Sequence, residues 1–326
     1  MKRDPSHGPT LSVEGLVVEY PLASGQVLRA VDDVSFEVAA GETLALVGES
    51  GCGKSSIVRA LMRLSPFSQG AVRIGGVDLA KLSPGELKHL RPRFQMIFQD
   101  PISSLNPRRR IRDILEAPLR INGRFDSVAS ARRIREVLEL VGVDPATALE
   151  RYPHEFSGGQ CQRISIARAL VLEPDLLVCD EPVSALDVSV RAQVLNVLND
   201  LRSRLGLSML FITHDLAVVR NVADRIAVMY LGRICEIGDA SEVLGHPAHP
   251  YTECLLSAVP VADPDAGIER VELTGEIPSP MDIGPGCRFR SRCPVAREFC
   301  ASAEPALREL DQDHAVACHF PVVAES

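Results

Sequence analysis

The sequence predicts an α/β fold built around a parallel β-sheet. A glycine-rich segment at 48–56 stands between a short apolar strand and a helical stretch, the arrangement of a strand–loop–helix unit. Two further apolar strands follow at 176–179 and 209–213, with a helical run at 190–205 between them. Parallel neighbours need a crossover of that kind, so these strands indicate a parallel sheet. With 326 residues, 46% of them hydrophobic, the chain can fill a core of this type.

Antiparallel strands are expected before the glycine-rich loop. Residues 1–10 are polar, contain two prolines and predict a loose tail. Apolar residues then alternate with polar ones over 11–18 and 27–38, which predicts the strands. The strand just before the loop is predicted at 42–47, and the helix after it at 57–62.

A helical segment and a C-terminal extension complete the expected organisation. Residues 104–172 are mostly of amphipathic helical character, and 226–237 predict a hairpin that turns at Gly232. Beyond His246 proline and cysteine become frequent, so a boundary is expected near residue 245. We therefore expect a tail at 1–10, a main domain at 11–245 that contains the helical segment, and an extension at 246–326.

Charge and composition exclude several classes of protein. A net charge of −8 argues against a nucleic-acid partner, because neutralising phosphates needs a basic surface. No run approaches the ~18 consecutive apolar residues that cross a bilayer, and no apolar secretory segment follows the start. A cytosolic chain is therefore expected. Its nine cysteines then indicate thiols or metal ligands rather than a disulfide framework.

The glycine-rich segment predicts a phosphate-binding loop. It fits the pattern GxxxxGK[ST] at every fixed position. Glycines let backbone N–H groups surround an anion, Lys54 can reach the outer phosphates, and the Ser55 hydroxyl can hold Mg²⁺. The predicted nucleotide contacts in this loop are Gly48, Glu49, Ser50, Gly51, Cys52, Gly53, Lys54, Ser55 and Ser56.

Downstream segments supply the groups that hydrolysis needs. Asp180 and Glu181 end the strand at 176–179, which suits Asp180 to hold Mg²⁺ through water and Glu181 to polarise an attacking water. Residues 157–160 precede a helix and predict a second anion-binding helix N-terminus. Gln99 follows the apolar residues 96–98, and His214 follows the strand that ends at Thr213.

In this order the motifs resemble those of ATP-binding cassette (ABC) proteins over 11–245. The resemblance implies a P-loop NTPase fold with a RecA-like parallel core, an antiparallel β subdomain and a helical signature subdomain, here followed by a small Cys/Pro-rich extension. It identifies 48–56 as the Walker A motif, Gln99 as the Q-loop glutamine, Ser157, Gly158, Gly159 and Gln160 as part of the signature motif, Asp180 and Glu181 as Walker B, 184–187 as the D-loop, and His214 as the switch histidine.

The same resemblance implies a mechanism. One chain has one Walker A and one signature motif, which in the family face each other across a head-to-tail dimer. Glu181 would activate water, His214 would contact the γ-phosphate, and Gln99 would sense the metal and link to a membrane partner. Mg²⁺ would involve Ser55, Gln99 and Asp180, and Asp187 would lie near the nucleotide. Two departures concern the signature, where Phe156 replaces the commonest leucine and Cys161 stands in place of a cation, which puts the electrostatic fine tuning of that loop in question.

Tyr20 has two interpretations. In cassette proteins an aromatic residue at this position stacks on adenine, which would make Tyr20 a nucleotide contact. An aromatic residue at the end of an amphipathic strand is equally typical of ordinary packing.

Three further segments resemble the ATPases of dipeptide and oligopeptide importers, a subfamily that also includes nickel importers. They are the Q-loop segment at 99–108, the segment at 183–193 that contains the D-loop, and the C-terminal extension with its stretches 249–260 and 275–280. The similarity is greatest to the second ATPase of a dipeptide importer. It implies a homologous partner ATPase in a heterodimer, two transmembrane permeases, an extracytoplasmic substrate-binding protein and a peripheral position on the cytoplasmic face of the membrane.

Other functions stay open at this point. A nickel or metal-chelate cargo is the alternative within transport. A soluble cassette ATPase of DNA repair or translation is another class, although the chain has neither a coiled-coil or zinc-hook insertion nor a second cassette. A third class is a sensor whose C-terminal cysteines are primary.

Four cysteines in the extension predict a possible metal site. Five, six and seventeen residues separate them along the chain. Four thiolates can hold a 4Fe-4S cluster, which related importers also suggest, or zinc, which is less favoured; metal-free structural thiols are the third interpretation. The residues concerned are Cys287, Cys293, Cys300 and Cys318.

Other cysteines and histidines receive simpler interpretations. Cys179 is expected in the core of its strand, and Cys52 is expected to be exposed and sensitive to oxidation. His314 and His319 could replace a cysteine ligand, but solvated histidines are the more typical expectation here.

Overall fold

The structure is a computed structural model, and it describes residues 8–259, 273, 275–281, 283–311 and 313–322. Most of the predicted tail, residues 1–7, and Pro260 of the importer-like segment 249–260 lie outside the described residues. The strands are β1 (Leu11–Pro21), β2 (Val27–Val38), β3 (Thr43–Val47), β4 (Gln69–Ile74), β5 (Val77–Asp78), β6 (Phe94–Ile97), β7 (Leu176–Asp180), β8 (Ser208–Thr213), β9 (Arg225–Tyr230), β10 (Arg233–Asp239), β11 (Arg308–Asp311) and β12 (His314–Val316).

The α-helices lie between these strands, and short 3₁₀ turns join some of them. They are α1 (Lys54–Leu61), α2 (Pro84–Leu90), α3 (Pro101–Ser104), α4 (Ile111–Ile121), α5 (Ser127–Leu140), α6 (Pro145–Ala148), α7 (Gly158–Leu170), α8 (Val188–Leu205), α9 (Leu216–Val219), α10 (Ala240–Gly245) and α11 (Pro250–Ser257).

Side-chain caps fix where the helices begin. Ser157 caps α7 in a capping box with Gln160, so this helix begins at residue 158. That is six residues before the apolar run at 164–172 that predicts the helix. Asp187 caps α8 by accepting the N–H of Val190, and Gly206 ends that helix in a left-handed conformation. The two caps therefore lie in the signature and D-loop segments predicted from the sequence.

The chain divides into two compact units, each assembled from several stretches of sequence. The first comprises 1–12, 37–42 and 72–212, and the second comprises 13–36, 43–71 and 213–326.

In the first unit, β6, β7 and β8 form the predicted parallel pairs. Phe94 aligns with Leu176 across β6 and β7, and Leu176 aligns with Ser208 across β7 and β8. Helices α4, α5 and α7 contact one another and account for most of the predicted helical segment. Because the strands are parallel, Gln99 and Asp180 both lie near the carboxyl ends of neighbouring strands.

In the second unit, strands from distant parts of the chain meet. β3 pairs in parallel with β9, and β9 forms the predicted antiparallel hairpin with β10, turning at Leu231 and Gly232 with φ of 41° and 85°. Beyond the prediction, β12 adds to β10, with Glu236 opposite Val316, and β11 pairs with β12. The C-terminal extension thus adds two strands at one edge of the sheet that contains β3, β9 and β10.

The core of the second unit also joins distant segments. Tyr251 and Phe289 are at most 2% exposed and pack in one cluster with Val47 of β3 and Val228 of β9. Ring centroids of Tyr251 and Phe289 lie 5.3 Å apart, and Tyr230 lies 5.2 Å from Phe289. Aromatic burial of this kind contributes about 1.5–3 kcal/mol per side chain, so the extension is held firmly.

Candidate nucleotide site and its supporting residues

The loop at 48–56 joins β3 to α1 and has space only for glycine at two positions. A Cβ at Gly48 would lie 2.2 Å from the carbonyl oxygen of Met229, and one at Gly53 would lie 2.3 Å from that of Ala30. Gly53 also has a φ of 110°, which L side chains rarely adopt. The second unit therefore fixes the path of this loop by close backbone contact.

Lys54 begins α1 and turns back over the loop. Its Nζ donates to the carbonyl oxygens of Gly48 at 2.6 Å and Glu49 at 2.9 Å, and the residue is only 5% exposed. The N–H of Gly232 donates to the carbonyl of Cys52 at 2.8 Å and ties the loop to the β9–β10 turn. A buried ammonium at a helix N-terminus, surrounded by glycine backbone, fits the phosphates of a nucleotide.

The expectation of an exposed, oxidation-sensitive Cys52 is wrong. The residue is 3% exposed, and burial raises the pKa of its thiol although the charge of Lys54 opposes that shift. A buried neutral thiol is a small apolar packing residue. Cys179 is fully buried in β7, as expected, and burial raises its pKa to about 12.

Tyr20 lies beside the end of the loop. Its hydroxyl is 3.3 Å from the Oγ of Ser56, and its side chain, near the end of β1, is half-buried. Stacking on adenine stays a prediction.

In the first unit, the structure brings Gln99 and Glu181 together. The Nε2 of Gln99 donates to Oε2 of Glu181 at 3.0 Å. Glu181 directly follows Asp180, the last residue of β7, and its N–H donates to the carbonyl of Ile212 at 3.0 Å. Its φ of 46° turns the chain sharply where the strand ends. The carboxylate is therefore held at a strand end by both its backbone and its side chain.

The signature residues form a tightly packed helix start. The Oγ of Ser157 accepts the N–H of Gln160 at 3.3 Å, and Gln160 Oε1 accepts the N–H of Ser157 at 3.0 Å. A Cβ at Gly159 would lie 2.2 Å from Cγ1 of Val190, whereas one at Gly158 would lie 3.7 Å from Leu186. Gly159 therefore lets α7 and α8 approach closely.

The departure from the family pattern at residue 161 changes the charge of this helix. Cys161 is 1% exposed, and its Sγ lies 3.4 Å from the carbonyl oxygen of Pro153. Burial raises the pKa of the thiol, so the position carries no charge at neutral pH.

Asp187 and His214 are both exposed. Asp187 accepts the N–H of Val190 at 3.0 Å and the hydroxyl of Ser189 at 2.8 Å, and these bonds lower its pKa. His214 directly follows Thr213, the last residue of β8. The loop at 48–56, Tyr20, His214 and the four C-terminal cysteines belong to the second unit. The first unit contains the remaining predicted site residues, namely Gln99, Ser157, Gly158, Gly159, Gln160, Asp180, Glu181 and Asp187.

The four C-terminal cysteines line one small apolar cavity of about 10 Å³ as free thiols. Burial raises the pKa of Cys287, Cys293 and Cys318, which favours neutral thiols. In the described part of the chain, no group of three or more His, Cys, Asp and Glu residues is arranged to hold a metal ion. The arrangement therefore does not support the iron–sulfur cluster expected from the cysteine spacing.

The expectation of a solvated histidine is wrong for His314. This residue is 7% exposed, and its Nε2 lies 2.7 Å from Oε1 of Glu236, a bond that raises the histidine pKa. His319 is half-buried, with its Nε2 2.8 Å from the carbonyl oxygen of Ala303. His314 thus belongs to a buried hydrogen-bonded pair with Glu236.

Two residues that touch the loop were not predicted. The hydroxyl of Tyr251 accepts the N–H of Glu49 at 2.9 Å, and Arg292 forms two bonds with the Glu49 carboxylate. Tyr251 lies within an importer-like segment and Arg292 lies next to Cys293, but neither context points to a contact with Glu49.

Similar proteins decide the family. A Brucella ovis protein named for ATP binding in peptide import is 52% identical over 310 residues, covering 95% of this chain and 97% of that protein. The oligopeptide transport ATP-binding protein OppF of Haemophilus influenzae is 50% identical over 301 residues, covering 91% and 90%. This chain belongs to the ABC transporter family. Residues 31–184 match the ABC transporter family itself, and residues 235–300 match the family described as the C-terminal region of oligopeptide and dipeptide transporters.

Solved structures of ABC proteins share the fold. The ATP-binding cassette MJ0796, solved as a dimer in a post-hydrolysis state with ADP and Pi, is 26% identical with a TM-score of 0.63, covering 71% of this chain and 98% of that one. CbiO1 of Clostridium perfringens, part of the ABC transporter complex cbiONQ, is 26% identical with a TM-score of 0.65, covering 73% and 91%. The predicted cassette fold is confirmed. Across the described residues, no helix combines the length and apolarity that crossing a membrane requires.

Proposed function

We propose that this chain is the ATP-hydrolysing subunit of a membrane importer for dipeptides or oligopeptides. The observation that carries the proposal is the presence, in one chain, of an ABC transporter region and an oligopeptide and dipeptide transporter C-terminal region. Relatives about 50% identical over nearly the whole chain bear names of peptide import proteins. These findings favour peptides over nickel chelates and over a function outside transport.

The residues divide the chemistry of hydrolysis between them. Lys54 and the loop N–H groups bind the phosphates, and Tyr20 stacks on the adenine. Ser55, Asp180 and Gln99 would hold Mg²⁺, which would supply neutralisation of phosphate charge. Asp187 and the exposed end of α7, with Ser157, take part in nucleotide binding across a dimer.

Glu181 is the proposed general base. Its carboxylate takes a proton from the attacking water, and His214 stabilises the charge that develops on the transferred phosphoryl group. The 3.0 Å bond from Gln99 restricts the rotamer of Glu181, so a movement of the Q-loop changes the position of the base. A membrane partner that contacts residues 99–108 can thereby control hydrolysis.

The partners follow from the family. We infer a homologous second ATPase, two permeases and an extracytoplasmic substrate-binding protein, with this chain held on the cytoplasmic face by the permeases. The net charge of −8 argues against a nucleic-acid partner.

Replacing the base tests the proposal. The Glu181→Gln variant keeps the shape and the bond partner but cannot accept a proton, so hydrolysis should fall at least about 100-fold while ATP affinity stays unchanged. Steady-state phosphate release and equilibrium binding of a fluorescent ATP analogue, measured on the complex with its partners, give the two quantities. Lys54→Ala is the control that should lose binding. Normal turnover by Glu181→Gln would contradict the assignment.

For the four cysteines, a 4Fe-4S cluster remains a separate proposal, with zinc second. It rests on the spacing of the four cysteines along the chain, because the described residues show free thiols around one cavity rather than a metal-binding group. Binding would require the thiols to rearrange from the positions that they occupy here. Elemental analysis of anaerobically prepared protein is the measurement, and the absence of both iron and zinc would end the proposal.

A further inference from the structure

Glu49, the second residue of the phosphate loop, is held by two residues of the C-terminal region. Arg292 Nη1 lies 2.7 Å from Glu49 Oε2, and Arg292 Nη2 lies 3.1 Å from Glu49 Oε1. This is the bidentate arrangement, which is the strongest interaction that a guanidinium and a carboxylate form. The backbone N–H of Glu49 donates at the same time to the hydroxyl of Tyr251 at 2.9 Å. All of these residues belong to the second unit.

The pair between Glu49 and Arg292 is largely removed from solvent. The side chain of Arg292 is 5% exposed and that of Glu49 is 25% exposed. Arg292 Nη1 also lies 3.4 Å from the hydroxyl of Tyr230. The bonds to Glu49 raise the pKa of Arg292, which keeps its charge. Charges in such a place interact more strongly than on an open surface.

Backbone hydrogen bonds and aromatic packing hold the segment that carries Arg292. The N–H of Arg292 donates to the carbonyl of Phe289 at 2.9 Å, and the N–H of Cys287 donates to that of Cys300 at 2.8 Å. Phe289 is 2% exposed and packs against the rings of Tyr230 and Tyr251. The backbone that carries the guanidinium is therefore anchored to an aromatic cluster.

A carboxylate in this position is unexpected, because the loop must accept a polyanion. Lys54, the cation that the proposed function assigns to the phosphates, donates to the carbonyl oxygen of Glu49 itself. An uncompensated charge on Glu49 would oppose the phosphates and compete for Lys54. Arg292 offsets that charge and holds the carboxylate through two bonds.

We propose that Arg292 is a positioning residue for ATP binding, which neutralises and holds Glu49 and so makes nucleotide affinity depend on the folded C-terminal extension. The proposal rests on the proposed function. It assigns to the extension a task in the nucleotide site itself, apart from any contact with a transporter partner.

Removing the charge of Glu49 in a second step distinguishes neutralisation by Arg292 from purely structural support. The variant Arg292→Met keeps the length of the side chain and leaves Glu49 unpaired, so we expect ATP affinity to fall about tenfold, roughly what one near charge does in a partly buried site. Adding Glu49→Gln removes the unpaired charge, and the double variant should recover to within about threefold of the original affinity. The affinity of Arg292→Lys for ATP should lie between that of Arg292→Met and that of the original chain, since lysine keeps the charge but cannot form both bonds at once.

The measurement is equilibrium binding of a fluorescent ATP analogue to the full chain, with melting temperature recorded for each variant. Arg290→Met is the matched control, because Arg290 lies in the same segment and bonds the carbonyl of Cys287 rather than the loop. Arg292→Lys keeps a cation beside the aromatic cluster, and its expected partial loss of affinity gives an answer even if Arg292→Met does not fold.

The outcomes separate the inference from the proposed function. Unchanged affinity in a folded Arg292→Met variant would overturn the inference, as would a folded double variant no better than the single one, or original affinity in the Arg292→Lys variant. Those results leave the proposed function standing if the original chain binds and hydrolyses ATP with its partners. Failure of the original chain to bind ATP would overturn both.

Discussion

Single residues in this protein are fixed by contacts that their neighbours in sequence do not share. Gly158 and Gly159 begin the same helix, yet only Gly159 meets a side chain, Val190, at a distance too short for a Cβ. The sequence motif makes the two glycines look equivalent. Packing between α7 and α8 makes one of them necessary and the other replaceable.

Alanine at these two positions should therefore have opposite effects on stability. Gly159→Ala should cost about 1–3 kcal/mol through overpacking, whereas Gly158→Ala should be neutral or stabilise by up to about 1 kcal/mol. Urea unfolding of both variants gives the comparison. Val190→Ala in the Gly159→Ala background should recover most of the loss, and equal losses at Gly158 and Gly159 would show that the contact with Val190 is not the cause.

The loop residues were predictable because their constraints are local. A glycine pattern followed by Lys54 and Ser55 specifies backbone shape and chemistry within nine residues. The exposure of Cys52 was not predictable, because it depends on Gly232 and the β9–β10 turn. The pair between Glu49 and Arg292 was equally hidden, since 243 residues separate its members.

At the level of elements, α11 is anchored to the sheet by a buried carboxylate. Glu236 of β10 is fully buried and accepts the N–H groups of Ala248 at 2.7 Å and His249 at 3.0 Å. His249 caps the helix, because its Nδ1 accepts the N–H of Tyr251 at 3.0 Å. Burial lowers the pKa of His249 to about 4, although the charge of Glu236 opposes that shift. The cap therefore works with a neutral imidazole.

This buried cap predicts a loss of stability in acid. A histidine whose folded pKa lies below its ordinary value binds protons mainly when unfolded, so stability falls as pH decreases from about 6.5 to about 4. The loss on this account is on the order of 3 kcal/mol. The variant His249→Asn keeps a capping acceptor without titrating, and unfolding free energies of both proteins across this pH range isolate the effect. A constant difference between the two proteins would contradict the prediction.

Elements with strong periodicity were predicted well, and those held by distant partners were not. The strands β7 and β8 and the helix α8 lie within a few residues of their predicted bounds, because buried apolar runs and caps define them. Strand β12 has only three residues, and its pairing with β10 depends on tertiary contacts. Nothing in its own sequence distinguishes it from a loop.

At the scale of the whole molecule, one chain contains one phosphate loop and one signature segment. The proposed heterodimer would place this loop opposite the signature of the second ATPase. The family is confirmed by the comparisons, and the cassette fold was predictable because its motifs occur in a fixed order. The partner is encoded in another chain, so no pattern here can specify it.

Mixing two inactive variants tests how the sites are shared. Lys54→Ala removes the loop cation and Ser157→Arg blocks the signature, so a mixed dimer of this chain alone would regain one intact site and roughly a quarter of the activity by random pairing. For a heterodimer we expect no recovery. The phosphate release rate of the mixture, compared with each variant alone, is the measurement, and recovery to that level would contradict the heterodimer.

The late position of Arg292 and β12 in the chain has a consequence for biosynthesis. A ribosome completes the phosphate loop and its lysine long before it adds the arginine that pairs with Glu49. Until that moment the nascent loop contains an unpaired carboxylate beside its phosphate-binding cation, and the sheet lacks its last strands. The loop would then reach its full affinity for ATP only after about the final tenth of the chain has been synthesised. Unfinished or truncated copies would bind ATP weakly and would therefore compete little for the transporter's partners.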